Sequence, residues 1–237
     1  MSELTATKGY VVEPAQVVAI PVAGGGLFPV RRVFCVGKNY ATVAMAAAQR
    51  EPPFFFMKSA DSVLTEERPV TYPCATENFH YEMEMVVAIG AVCEDLENGA
   101  GVAAIWGYAA GLDMTRRDLQ NAARESGRPW EMGKSFEHGA PVGTLKPASL
   151  GRPDVATAIS LSVNGTVRQS STLENMIWSA PELVEILSRF VRLQPGDILF
   201  TGTPTGVGAV GPGDSLVGSV HGVGEVRTII ARGRFAR

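Results

Sequence analysis

Cysteine is scarce and scattered in this sequence of 237 residues: Cys35, Cys74 and Cys93 form no CxxC pair, and three thiols cannot all be bridged. They read as small buried apolar residues in a reducing cytoplasm. No apolar run reaches the ~18 residues of a membrane span; Met85–Cys93 and Gly101–Leu112 are the longest and fall well short. The opening MSELTATKGY lacks a basic-then-apolar leader pattern, so the expectation is a cytoplasmic protein without a membrane partner. Positive charge is not in excess either. The 21 basic residues against 24 acidic ones leave a net charge of −3, which argues against nucleic acid as a partner. Histidine is rare, with three in the chain and none before His80.

What is abundant points to a strand-rich globular protein. Apolar residues make up 46% and charged ones 19%, which excludes disorder and supports a substantial core. The 26 glycines and 15 prolines favour many short strands and turns over a helical bundle. Residues 1–31 read as a small N-terminal strand segment, with Val17–Val22 followed by three glycines, and 32–237 as the main domain. Strands are expected at Arg32–Val36, Phe54–Lys58, Phe79–Ile89, Asp197–Thr201 and Glu225–Ala231. A hairpin is expected over Leu161–Arg168, turning at Asn164-Gly165. Helix is expected over the alanine-rich Ala41–Gln49, over Arg116–Arg124 with Thr115 as its cap, and over Ala180–Val191. The last carries a Ser179/Glu182 capping box and one face of Leu183, Leu187, Phe190 and Val191. The class is α+β, mainly β, with curved or rolled sheets and few short helices.

The segment Phe79–Ile89 carries the chemistry. With a period of two, His80, Glu82 and Glu84 share one face, while Tyr81, Met83, Met85 and Val87 share the other. A solvated polar face is the bland explanation. However, Val86, Ala88 and Ile89 make both faces apolar within two residues. Like charges ~7 Å apart entering a core resist desolvation unless a cation joins them. Asp113, at the end of an apolar segment, either caps the following helix or completes an oxygen triad suited to a hard divalent ion. Gly206–Gly211 spells G-x-G-x-x-G, but Pro212-Gly-Asp214 follows where a dinucleotide site needs a helix.

Taken together, His80-Tyr-Glu-Met-Glu84, Gly107–Gln120, Gly133-Lys-Ser-Phe136 and Gly202-Thr-Pro-Thr-Gly-Val-Gly208 resemble the fumarylacetoacetate hydrolase family over roughly residues 32–230. Arg50-Glu-Pro-Pro-Phe-Phe-Phe-Met-Lys58 looks closest to its fumarylpyruvate hydrolase branch. The resemblance implies a mixed β-roll or sandwich and a homodimer. It also implies Mg²⁺ or Mn²⁺ held at Glu82, Glu84 and Asp113. Substrate contacts are implied at Arg117, Gln120, Lys134, Gly202 and Thr203, with Lys58 a further candidate. The implied substrate is a small 2-oxo acid, an acylpyruvate, hydrolysed at its C–C bond with enolate charge met by the metal and Lys134.

One departure from the family pattern matters. Family hydrolases carry a His and a Glu three residues later, just after a G-x-N-Y-like sequence. Here the matching positions are Val43 and Ala46, and no carboxylate lies between Glu13 and Glu51. His80 is then the candidate to accept a proton or to hold a glutamate in place. Without the dyad, a decarboxylase or tautomerase (isomerase) of a related 2-oxo acid, or a non-catalytic acid-binding protein, stays open beside the hydrolase.

Overall fold

The computed structural model describes residues 11–40 and 50–233; the helix expected over Ala41–Gln49 lies outside them. Two sheets dominate. The larger is mixed and six-stranded, in the order Lys146–Pro147, Ile105–Leu112, Met83–Ile89, Ile198–Phe200, Val33–Gly37 and Phe54–Lys58. Only Ile198–Phe200 and Val33–Gly37 run parallel within it. The second is five-stranded: Thr166–Thr172, Ala158–Val163, Ser215–Val220, Gly224–Ala231 and Val70–Thr71. Its first four strands are antiparallel: two hairpins joined through the pairing of Ala158–Val163 with Ser215–Val220. The hairpin turn at Asn164-Gly165 has φ of 51° and 75°, the left-handed values a two-residue turn demands.

The second sheet packs across Ile105–Leu112 and Met83–Ile89. Met83, Met85, Val87 and Ile89 therefore share one core with Ile159, Leu161, Leu216 and Val226. Val86 and Ala88, on the opposite face, pack with Val33, Cys35 and Phe200 and with Ile20, Phe28 and Val30 of the N-terminal segment. Ala19–Pro21 and Leu27–Pro29 form a hairpin in that segment. Both faces of the central strand are covered, and for that reason its sequence stops alternating.

Several expectations need correction. Phe79–Ile89 is not one strand. Phe79–Tyr81 pairs with Thr115–Arg116 and Gly208–Ala209 in a separate three-stranded sheet, and Met83–Ile89 belongs to the six-stranded one. Thr115 does not cap a helix, because it is itself in a strand and the helix begins at Arg117. Cys74 is exposed, unlike Cys35 and Cys93. The helix Ala180–Phe190 buries Leu183, Val184 and Leu187, but Phe190 at its last turn is 73% exposed. Among the described residues there are four α-helices, and none is long and apolar enough to cross a membrane.

The capping box of Ala180–Phe190 forms as the sequence implies, with Glu182 Oε2 accepting from Ser179 N at 2.8 Å and from Ser179 Oγ at 2.6 Å. Replacing Ser179 by alanine is expected to lower unfolding free energy by about 1 kcal/mol in a urea titration, with the slope unchanged.

Candidate functional site

Glu82 sits where the chain passes from the three-stranded sheet to the six-stranded one. Its carbonyl accepts Asp113 N at 2.8 Å. The next pairs in register are Met83 with Leu112 and Glu84 with Gly111. This antiparallel register carries Asp113 beside Glu82 and Glu84 across the 28 residues that separate Glu84 from Asp113. One oxygen from each of the three lies within 4.8 Å of the others, and all three residues are buried.

Three buried carboxylates this close repel each other, and their neighbours are arranged accordingly. Lys134 Nζ donates to Glu82 Oε2 and Asp113 Oδ2, each at 2.7 Å, and to Thr115 Oγ1 at 2.8 Å. Arg117 Nη2 pairs with Glu82 Oε1, and Arg117 Nη1 donates to Gln120 Oε1. Burial alone would push the Asp113 carboxyl up, but the ammonium groups of Lys134 and Lys58 hold it below the usual range. By the same pairing the Lys134 ammonium is held well above the usual lysine range despite its burial. Glu84 is served differently, because its Oε2 accepts only a backbone donor, Gly202 N, at 2.7 Å. Burial, then the charges of Asp113 and Glu82, push its carboxyl well above the usual range.

Lys58 is buried under this cluster. Its Nζ lies 2.8 Å from Asp113 Oδ1. Yet it donates to the carbonyls of Met114 (3.0 Å), Gly139 (2.9 Å) and Lys134, which exhausts an ammonium's three hydrogens. Asp113 Oδ1 is thus buried with a charge beside it and no hydrogen bond among the described residues. A buried glutamate with no cationic partner of its own, beside two further carboxylates, is an oxygen donor set short of one cation. All-oxygen ligands suit Mg²⁺ or Mn²⁺, so the residues fit such an ion.

Above the cluster opens a cavity of about 260 Å³, lined by Glu82, Glu84, Arg117, Gln120, Lys134 and Thr203 together with Tyr40, Phe56, Trp130 and Arg124. Arg117 and Gln120 reach it from the first turn of helix Arg117–Glu125, and Lys134 from the short helix Glu131–Lys134. The two helices touch closely at Gly133, where a Cβ would stand 2.8 Å from Gln120 N, so only glycine brings Lys134 that near. A larger hollow of about 980 Å³ lies around Tyr72–Glu77 and Val210–Pro212, away from these groups.

The comparisons with known proteins agree with this geometry. The sequence signature described as "Fumarylacetoacetate (FAA) hydrolase C-terminal" matches residues 32–231. The chain belongs to the fumarylacetoacetate hydrolase family. A fumarylpyruvate hydrolase of Ralstonia sp is 46% identical over 176 residues, covering 74% of this chain and 91% of the relative. An oxaloacetate tautomerase of Escherichia coli (strain K12) is 37% identical over 199 residues, covering 82% of this chain and 90% of the relative. Among solved structures, fumarylpyruvate hydrolase from Pseudomonas aeruginosa in complex with Mn²⁺ and pyruvate superposes with a TM-score of 0.89 at 46% identity. It covers 94% of this chain and 100% of its own.

Within this family frame, the residues picked from the sequence take distinct places. Glu82, Glu84, Asp113, Lys134, Arg117 and Gln120 come together, and Thr203 lines the cavity. Lys58 and Gly202 act beneath it, on Asp113 and Glu84, and neither lines the cavity. His80 faces Arg117 rather than a glutamate: its Nδ1 accepts Arg117 Nε at 3.5 Å, and its Nε2 meets Asn78 Oδ1 at 2.7 Å. Burial and then the Arg117 charge lower its pKa, which keeps the ring neutral.

Two supporting residues were not read as part of the site from the sequence. Thr115, expected there as a helix cap, accepts a hydrogen bond from Lys134 Nζ at its hydroxyl oxygen. Gln169, on the second sheet and 1% exposed, accepts Met83 N at 2.9 Å between the two glutamates and donates to Thr203 Oγ1 and Pro204 O, each at 2.8 Å. It fills the break at Glu82, where a backbone donor lacks a strand partner.

Two outcomes are expected from this arrangement. Glu84→Gln should abolish Mn²⁺ binding in calorimetry while leaving the melting midpoint unchanged or higher, because a buried carboxyl without a cation partner is removed. Gln169→Leu should destabilise by about 1–3 kcal/mol through the stranded Met83 N–H, measured by urea unfolding of the metal-free protein.

Proposed function

We propose that the protein is a divalent-metal-dependent acylpyruvate hydrolase acting on fumarylpyruvate, releasing fumarate and pyruvate. The observation that carries the reading is the buried Glu82–Glu84–Asp113 cluster opening into a cavity walled by Arg117, Gln120 and Lys134. The fumarylpyruvate hydrolase similarity supports this substrate. The reading includes Mg²⁺ or Mn²⁺ as the ion and a cytoplasmic homodimer working in the breakdown of aromatic acids.

In hydrolysis, water oxygen bonds to the acyl carbonyl carbon, the C–C bond breaks, and its electron pair passes to the pyruvate enolate, which is then protonated. Glu82, Glu84 and Asp113 would hold the divalent ion, which would supply Lewis-acid polarisation of the oxo groups and charge stabilisation for the enolate. The Arg117 guanidinium, forked toward Glu82 and Gln120, presents the geometry that receives a carboxylate. Lys134 keeps an ammonium at the reacting end, its charge secured by Glu82 and Asp113. Arg124 stands on the same helical face, seven residues past Arg117, and lines the cavity further out. It is placed for the second carboxylate of a dicarboxylic substrate.

A second reading, tautomerisation of oxaloacetate, is favoured by the missing dyad. No histidine or carboxylate occurs between residues 14 and 50, and His80 has both ring nitrogens engaged. Tautomerisation needs enolate stabilisation but no activated water. The deciding experiment gives the purified protein fumarylpyruvate or oxaloacetate, with Mg²⁺, Mn²⁺ or a chelator. The expected result is metal-dependent loss of fumarylpyruvate, stopped by the chelator. Because a positioned base is worth roughly 10²–10⁴-fold, turnover should fall below the usual enzyme scale of ~10 s⁻¹. Intact fumarylpyruvate with rapid enol–keto exchange of oxaloacetate would establish the second reading instead.

A further inference from the structure

Among the described residues that line the cavity, Tyr40 is the one whose buried polar atom has no hydrogen-bond partner. It follows the strand Val33–Gly37, and its backbone bridges Met176. The neighbouring Asn39 is fixed by donating to Trp178 O and Thr201 O, each at 2.8 Å, and by accepting Trp178 N at 2.9 Å. The ring is therefore held on a rigid support. Tyr40 is 8% exposed, it forms part of the cavity wall with Glu84, Lys134 and Thr203, and its hydroxyl has no hydrogen-bond partner among the described residues.

A buried hydroxyl without a partner is a standing cost that phenylalanine at the same position would avoid. The surrounding described residues do not satisfy it: Glu84 Oε2 accepts from Gly202 N, and Thr203 Oγ1 accepts from Gln169 Nε2. A phenol is a hydrogen-bond donor at neutral pH. What it lacks is an acceptor oxygen in the cavity, beside the carboxylate cluster.

We propose that Tyr40 is a substrate-contacting residue whose hydroxyl donates a hydrogen bond to an oxygen of the 2-oxo acid held over Glu82, Glu84 and Asp113. The assignment rests on the proposed function for the class of ligand, and on the orphaned hydroxyl for the residue. It gives the site a neutral donor from a different stretch of chain than the helix that carries Arg117 and Gln120. No bond is made or broken by Tyr40. Its role is to orient the acid and stabilise charge on the oxygen it touches.

The test is Tyr40→Phe, which keeps the ring and removes only the hydroxyl. Two readouts are needed: pyruvate binding to the Mn²⁺-loaded protein by calorimetry, and the melting midpoint of the metal-free protein. The proposal predicts pyruvate affinity weakened roughly tenfold or more, Mn²⁺ affinity unchanged, and a melting midpoint equal to or above that of the parent. Unchanged pyruvate affinity would overturn it, as would a lowered midpoint, since that would show the hydroxyl already has a structural partner. Failure of the parent protein to bind pyruvate would instead remove the 2-oxo acid reading, and this assignment with it. Parent binding with an unaffected variant removes only Tyr40.

Discussion

Three carboxylates brought within a few ångströms of each other inside a core are the constraint on which the other features of the site depend. Without compensation they would protonate or drive the strands apart. Compensation comes in graded form. Asp113 receives two lysines, Glu82 a lysine and an arginine, and Glu84 a single backbone amide from Gly202. The deficit is concentrated on Glu84, the carboxylate of the three that has no ion-pair partner among the described residues. An uneven distribution of counter-charge is what separates a cation site from a structural ion-pair network, in which every carboxylate would be matched.

The architecture serves that concentration of charge. Covering the central strand on both faces leaves only its end, at the break by Glu82, open to a cavity. The two elements that close the break come from opposite directions. Gln169 reaches in from the second sheet, and the loop at Gly202 arrives from the strand next to Met83–Ile89. At Gly202 a φ of 92° and a Cβ position 2.7 Å from Asn39 Cβ exclude any other residue without strain. The carboxylate cluster, the loop at Gly202 and Thr203 and the support of Tyr40 are thereby tied into one hydrogen-bonded block. The proposed hydrolysis and its tautomerisation alternative both draw on this block, since the two reactions share the enolate and differ in whether water is activated.

Much of this was legible in the sequence, for identifiable reasons. The E-x-E spacing met a strand that turned apolar on both faces, and the Gly133-Lys-Ser-Phe and Arg-Arg-Asp-Leu-Gln stretches carried the family pattern. The rest was hidden by distance or by a local rule that lost. Gln169 lies 86 residues from Met83, and a buried glutamine in a strand announces no partner. Period-two alternation reads straight through Glu82, because a change of sheet does not disturb the alternation. Thr115 looked like a cap because threonine before a helix usually is one; here pairing with His80 holds it in a strand and frees its hydroxyl for Lys134. Lys58 was expected at the substrate from its place in a motif, and three carbonyls and Asp113 hold it below the cavity floor.

The central claim, that the cluster of Glu82, Glu84 and Asp113, with its uncompensated charge at Glu84, is the seat of a divalent cation, is tested most directly by diffraction from crystals grown with Mn²⁺. Data collected on either side of the manganese absorption edge would locate the ion by anomalous scattering alone. The account predicts one strong peak bounded by carboxylate oxygens of all three residues, absent in Glu84→Gln crystals. Ordered manganese at any other place, or a cluster that stays closed around Lys134 with no peak at saturating metal, would contradict it.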